Sequence, residues 1–256
     1  AGYSSAEGVI GDVSITERNL LGRGQFLRLK LAGSGERQQI DLSFTEPRFL
    51  DRNLAAGFDL FHKEVDATAT SSYKSRKSGG SLRLGFPLSE TLWMTTNYSL
   101  VRDEIYGDAG LLNSASLAVR EAANFQQAFN TVNPALTSSV GYAITYDGRN
   151  HPKNPNRGVY FSVGQELAGV GGDVKYVRTT AEGRGYYPIT EKITFVGRLI
   201  GGNIQGWGGD DVRLLDMFYK GGETIRGFRR SGIGPRDIGS LNSDALGGKN
   251  FYAGTA

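Results

Sequence analysis

The 256-residue chain carries 29 Lys+Arg against 26 Asp+Glu, a formal net charge of +3 that is too balanced for a dedicated nucleic-acid binder. It has no cysteine and 2 histidines, His62 and His151, which excludes disulfides, thiolate nucleophiles and cysteine metal clusters and leaves almost no means for a histidine-built metal site or triad. Glycine supplies 37 residues, against a usual share of roughly 7%, aromatics make up 11%, and no apolar run of about 18 residues occurs; this excludes a helical membrane protein and points to strands and turns.

In chain order, period-two alternation predicts strands throughout. Over Val9–Glu17, Val9, Val13 and Ile15 alternate with Asp12, Ser14 and Thr16. Leu27, Leu29 and Leu31 follow around Arg28 and Lys30, then Ile40, Leu42 and Phe44 against Gln39, Asp41, Ser43 and Thr45. The pattern continues through Leu54, Ala56, Phe58 and Leu60, through Leu82, Leu84 and Phe86, and through Leu92, Met94, Tyr98 and Leu100. Ala115–Phe129 breaks it and suits a short helix in an extracellular loop. Strands resume at Val140–Tyr146 and Val159–Val163, at a long polar row (Tyr176, Arg178, Thr180, Glu182, Arg184) opposite Val177 and Ala181, and at Ile193–Leu199. Turn residues fall between, at Gly22-Arg23-Gly24, Gly33-Ser34-Gly35, Asp51-Arg52-Asn53 and Pro155-Asn156-Arg157-Gly158. At about 20 residues per strand and connection, the length accommodates about twelve strands.

A soluble sandwich alternates too, so the faces must discriminate. The polar rows hold Arg28, Lys30, Asp41, Arg178, Glu182 and Arg184 beside Ser, Thr and Gly, a mixture suited to a hydrated lumen. Phe44, Phe86, Tyr98, Tyr142, Tyr146, Tyr186 and Tyr187 end the apolar rows as an interfacial girdle would. The reading is all-β: a transmembrane antiparallel β-barrel, with a soluble all-β fold as the alternative.

Tyr219–Asp237 does not read as strand. Gly221, Gly222 and Gly227 permit tight reversal around Ile225, Arg226 and Phe228. Apolar Ile225 and Phe228 at a loop tip predict a buried tip, with Arg226 reaching a carboxylate through a bidentate pair; a basic surface loop is the alternative. A phosphate cradle would need Walker spacing and a following helix, which are lacking. No Gly-x-Ser-x-Gly elbow occurs. His62 and His151 read as loop or turn residues, and Asp103-Glu104 and Asp210-Asp211 as solvated acids at strand ends or in loops.

Gly221-Gly222-Glu223-Thr224-Ile225-Arg226-Gly227-Phe228 resembles the loop motif of the BamA family of outer-membrane protein assembly factors. Ser43–Phe49 looks like that family's third strand and following turn, and Tyr146–Asn150 with Pro155–Gly158 like its periplasmic turn between strands seven and eight. Met217–Gly222 resembles the approach to the loop, Ile233–Arg236 its descending arm, and Asp244–Gly248 the entry to strand twelve. Asn150 stands where the family often carries Asp. The resemblance implies an incomplete barrel, about twelve of about sixteen strands, with residues 1–256 a partial outer-membrane domain. Its sixth loop, at about 219–246, would fold into the lumen. Periplasmic repeats, last strands and the acidic partner of Arg226 would then lie outside a sequence that reads as a fragment at both ends.

The implied activity is folding and insertion of nascent outer-membrane β-barrel proteins. A first strand containing Gly8, Val9, Gly11, Val13 and Ile15 would be weakly paired and form a seam. The implied partners are the outer-membrane bilayer of a Gram-negative bacterium, nascent barrel proteins, and periplasmic or lipoprotein accessory subunits. No nucleic acid, cofactor, metal or enzymatic activity is expected. The alternative is a two-partner-secretion-type translocation channel, a class that shares the loop motif.

Overall fold

The computed structural model describes residues 2–4, 8–66, 68, 72–107, 109–123, 133–222 and 224–256. One antiparallel sheet of eleven strands dominates, in the order β1 to β10 and then β13. Its strands are β1 (Gly2–Ser4), β2 (Gly8–Leu20), β3 (Gln25–Gly33), β4 (Arg37–Glu46), β5 (Ala55–Asp66), β6 (Lys74–Pro87) and β7 (Leu92–Tyr106). After two short helices, α1 (Ala109–Asn113) and α2 (Leu117–Ala122), come β8 (Ala135–Asp147), β9 (Gly158–Pro188) and β10 (Thr194–Gly206). A separate ribbon of β11 (Arg236–Asp237) and β12 (Asp244–Ala245) precedes β13 (Asn250–Thr255).

β9 doubles back on itself. Its residues 160–172 pair with β8 and its residues 176–188 with β10. Across the fold, Gln165 Nε2 donates to Thr179 Oγ1 at 3.2 Å and Arg178 meets Glu166 at 3.3 Å. The reversal sits at Gly171 and Gly172, both at φ 87°, a conformation that glycine adopts without steric cost. Eleven assigned strands, one of them doubled, give the expected twelve crossings. Among the described residues β1 and β13 form no ladder with each other, so the sheet curves without closing.

The two faces differ as period-two alternation requires. On the outer face Val13, Leu31 and Ile40 stand in one cross-strand row and Leu82, Tyr98, Val140 and Leu167 in another, all exposed. Each such side chain is worth roughly 1.5–3 kcal/mol when taken out of water, so rows this long are stable only against hydrocarbon. The inner face holds charge: Arg83 lies 2.6 Å from Asp59, and Glu182 accepts Arg184 at 2.5 Å and Arg198 at 2.7 Å. Among the described residues, dry packing is confined to two small clusters, one of Ala168, Val174, Tyr176 and Ile204, the other of Tyr73, Ile105, Val119 and Leu214. A soluble sandwich would instead bury one whole sheet face. Alternation along the chain puts connections 34–36, 67–73, 107–134 and 207–249 at one end and 21–24, 47–54, 88–91, 148–157 and 189–193 at the other, so the two longest connections share one end.

Several expectations need correction. The strand expected to be first is second, because β1 precedes it and Tyr3 pairs with Val9. Ser43–Phe49 therefore belongs to the fourth strand and its turn, and residues 148–157 follow the eighth strand. Asp244–Gly248 leads into the last wall strand, which starts at Asn250, though Asp244-Ala245 itself pairs with Arg236-Asp237. Ala115–Phe129 contains α2 but not one continuous helix, and its residues 124–129 lie outside the described set. Tyr186 shares the inner face with Arg184, and Tyr98 sits within an apolar row with its hydroxyl 3.0 Å from Ser138 Oγ. His62 is a strand residue, its Nδ1 2.7 Å from Ser78 Oγ and its Nε2 3.5 Å from Glu64.

Candidate functional site

The connection between β10 and β13, residues 207–249, is held to the rest of the molecule at both of its arms. On the approach arm Arg213 donates to both oxygens of Asp103, at 2.8 and 3.0 Å, and through Nε to Asp216 at 2.8 Å. Asp103, on the inner face of β7, and Asp216 are both buried. Burial opposes the charge of Arg213, yet the flanking carboxylates of Asp216 and Asp103 hold its pKa above the ordinary range. Arg178 donates to the Asp216 carbonyl at 2.9 Å and lies over the rings of Tyr176 and Phe218. Phe218 packs edge-on against Phe251 at 4.7 Å, and the Lys220 ammonium sits 3.7 Å from the centre of the same ring.

The tip is a compact reversal. Gly222 N donates to the Phe228 carbonyl at 2.8 Å. Gly221 has φ 134°, and a Cβ there would collide with the Arg229 carbonyl. Ile225 is half-buried, but Arg226, Gly227 and Phe228 are exposed, Phe228 by 52%. Among the described residues no carboxylate pairs with Arg226. Among the described residues the arms dock, and the tip makes no carboxylate contact.

The return arm carries the tightest anchor. Arg236 donates to the Ser231 and Ser243 carbonyls, both at 2.6 Å, which closes a small lobe. Asp244, 0% exposed, accepts from Ser72 N at 2.5 Å and from Ser116 N at 2.7 Å, while its own amide donates to Ser240 Oγ. Ser116 also caps α2, accepting from Val119 N. Leu241 N adds a bond to the Ser114 carbonyl at 3.0 Å. One carboxylate thus joins three connections, 67–73, 107–134 and 207–249.

Sequence reasoning missed Arg213, Asp103, Asp216 and Asp244. Asp103 was expected to be solvated, yet it is the buried acceptor of Arg213. Alternation along β7 contains the clue, because Asp103 shares its face with Val101 and Ser99 rather than with Glu104. Of the other paired acids, Asp210 meets Lys175 at 3.0 Å and Asp211 meets Lys249 at 2.5 Å. His151 lies in a turn as expected, its Nδ1 accepting from Lys153 N and Asn154 N. Asn150 braces the same turn with neutral chemistry, its Oδ1 accepting from Asn156 N and Arg157 N.

The residues named for the seam lie along β2. Gly8–Ile10 pairs with β1 on one side, and Gly11–Glu17 pairs with β3 on the other. From Gly11 onward the side of β2 away from β3 has no ladder partner among the described residues. Val9, Val13 and Ile15 are 72, 64 and 66% exposed.

Known proteins resemble this arrangement. The Omp85 superfamily domain matches residues 19–256. Outer membrane protein assembly factor BamA of Neorickettsia risticii (strain Illinois) is 29% identical over 261 residues, 100% of this chain and 32% of that protein. The crystal structure of BamA from Haemophilus ducreyi lacking POTRA domains 1-3 shares the fold, with a TM-score of 0.78 at 23% identity over 98% of this chain and 50% of that one. CdiB from Acinetobacter baumannii is a more distant likeness of fold, with a TM-score of 0.55 at 14% identity over 88% of this chain and 40% of its own. The chain thus spans about a third of the BamA relative's length. Since one family domain covers residues 19–256, the doubled strand and the docked loop among them, the chain belongs to the Omp85 superfamily.

Proposed function

We propose that the chain is part of the membrane barrel of an outer-membrane protein assembly factor, integral to the outer membrane of a Gram-negative bacterium. In this reading residues 1–256 form a partial barrel domain, and the remaining wall and the periplasmic repeats belong to the rest of the protein. The observation that carries it is the likeness to N. risticii BamA along the whole chain. An unpaired edge in hydrocarbon costs several kcal/mol per orphaned group, so it must be closed by the barrel's own wall or by another strand. A weak closure lets a nascent strand add by β-augmentation before it leaves to close its own barrel.

The loop of residues 207–249 braces the lumen through its arms. Its Gly221, Gly222 and Gly227 aim Ile225, Arg226 and Phe228 at the wall that completes the barrel, where Arg226 meets a carboxylate. The likeness to N. risticii BamA over the whole chain supports this reading over a two-partner-secretion-type channel. The working partners are the bilayer, nascent barrel proteins and periplasmic or lipoprotein subunits, with no nucleic acid, cofactor or catalytic step. The test uses the intact protein with cysteines at Val13 and at the facing position of the last strand. Oxidation is expected to reduce insertion of a reporter barrel to background, and reductant to restore it. Full insertion with the staple closed would remove the seam from the mechanism.

A further inference from the structure

The outer face of β5–β8 carries a feature that neither the seam nor the docked loop uses. One cross-strand row runs Leu60, Gly80, Leu100, Ser138, and the next toward the long connections runs His62, Ser78, Arg102, Leu136. Gly80 and Ser78 leave a trough between taller neighbours, an apolar groove of about 590 Å³ lined by Phe58, Leu60, Leu82, Tyr98 and Leu100 and topped by Arg102. The charged groups around it are otherwise committed. Arg76 bridges Glu64 at 2.5 Å and Glu104 at 2.7 Å, and His62 lies between Ser78 and Glu64. Arg102 is exposed and, among the described residues, makes no ion pair or hydrogen bond.

An arginine at the polar end of an apolar groove on a hydrocarbon-facing surface matches a molecule with an anionic head and an acyl tail. Resting on the reading of this face as lipid-facing, we infer that β5–β8 binds a lipid of net negative charge that carries a terminal phosphate, at the long-connection end, one acyl chain in the groove and the phosphate on Arg102. A guanidinium pairs its N–H donors with the terminal oxygens of a phosphomonoester, whereas the single charge of phosphatidylcholine's phosphodiester is balanced by its own quaternary ammonium, so the site discriminates by net headgroup charge. Gly80 selects for the tail: a Cβ there would approach Leu60 Cδ2 to 2.8 Å and fill the trough.

The experiment uses the intact protein, delipidated in detergent and titrated in native mass spectrometry with dioleoyl phosphatidic acid or dioleoyl phosphatidylcholine. One phosphatidic acid should be retained about tenfold more strongly than phosphatidylcholine, the scale of one charge-assisted contact. Arg102→Gln should bring retention of phosphatidic acid down to the phosphatidylcholine level. Gly80→Leu should lower both, while heat-modifiable gel mobility confirms a folded barrel in each variant. Equal retention of the two lipids, an unchanged Arg102→Gln protein, or displacement of phosphatidic acid by equimolar inorganic phosphate would overturn the lipid site. A chain that failed to enter micelles or bilayers at all would instead refute the membrane reading on which the site rests.

Discussion

Arg213 sits between two buried carboxylates, and its removal is costly because they would remain behind without a cation. Arg213→Ala should destabilise the fold by about 3–5 kcal/mol, measurable as an earlier midpoint of urea unfolding. Arg213→Lys should recover only part of this, since an ammonium cannot span both oxygens of Asp103 while also reaching Asp216. Asp244 acts through its two amide donors. Asp244→Ala would orphan the Ser72 and Ser116 amides, at about 1–3 kcal/mol each, and limited proteolysis should cut within 207–249 faster. Asp244→Asn keeps one acceptor oxygen and should fall between. The Lys249–Asp211 contact is a contrasting case. Hydrogen bonds from Lys249 and the Val212 amide hold the Asp211 carboxyl below its ordinary range. Its contribution is therefore complete above that range and is lost as the pH falls through the depressed folded value. The pair is exposed, so Lys249→Gln at neutral pH should cost less than about 1 kcal/mol.

At the scale of elements, the loop tip separates two roles for glycine. Gly221→Ala meets both a positive φ and the Arg229 carbonyl, so the reversal must open. Gly227, at φ 86°, has nothing within 4 Å, so Gly227→Ala should cost only the local strain of about 1–2 kcal/mol. Trypsin cleavage at Arg226 and Arg229 should accelerate more for the first variant than for the second. The strands themselves were legible: Leu27-Arg28-Leu29-Lys30-Leu31 and Ile40-Asp41-Leu42 announce their faces because a strand's period is a local property. The docking contacts were not legible in this way. Asp103 and Arg213 are 110 positions apart, and Ser72 and Asp244 are 172 apart. No short-range pattern couples residues at such distances, and Asp103 therefore looked like any acid near a strand end. The reversal within β9 falls between these cases: Val159–Val163 and the Tyr176–Arg184 row read as separate strands, but the turn at Gly171-Gly172 that joins them went unread.

For the whole molecule, the inverted distribution of polarity is the governing fact. Leu82, in the middle of an exposed apolar row, should not tolerate charge: Leu82→Arg is expected to cost about 2–4 kcal/mol if the row lies near the bilayer midplane. Ser81→Arg, one residue along and facing Asp59 and Arg83 inside, should cost far less. Urea unfolding of the two variants in lipid vesicles compares them directly, and equal losses would contradict oil outside and water within. Alternation, turn residues and the Arg-Gly-Phe segment determined the class of sheet, the existence of two unlike faces and the family, because each is written in neighbours close along the chain. Tertiary structure alone decided that β1 flanks β2, that the loop docks by its arms, and that Arg213 and Asp244 are the anchors. Those features depend on which distant groups are desolvated together, and burial is a property of the folded surface rather than of any local stretch of sequence.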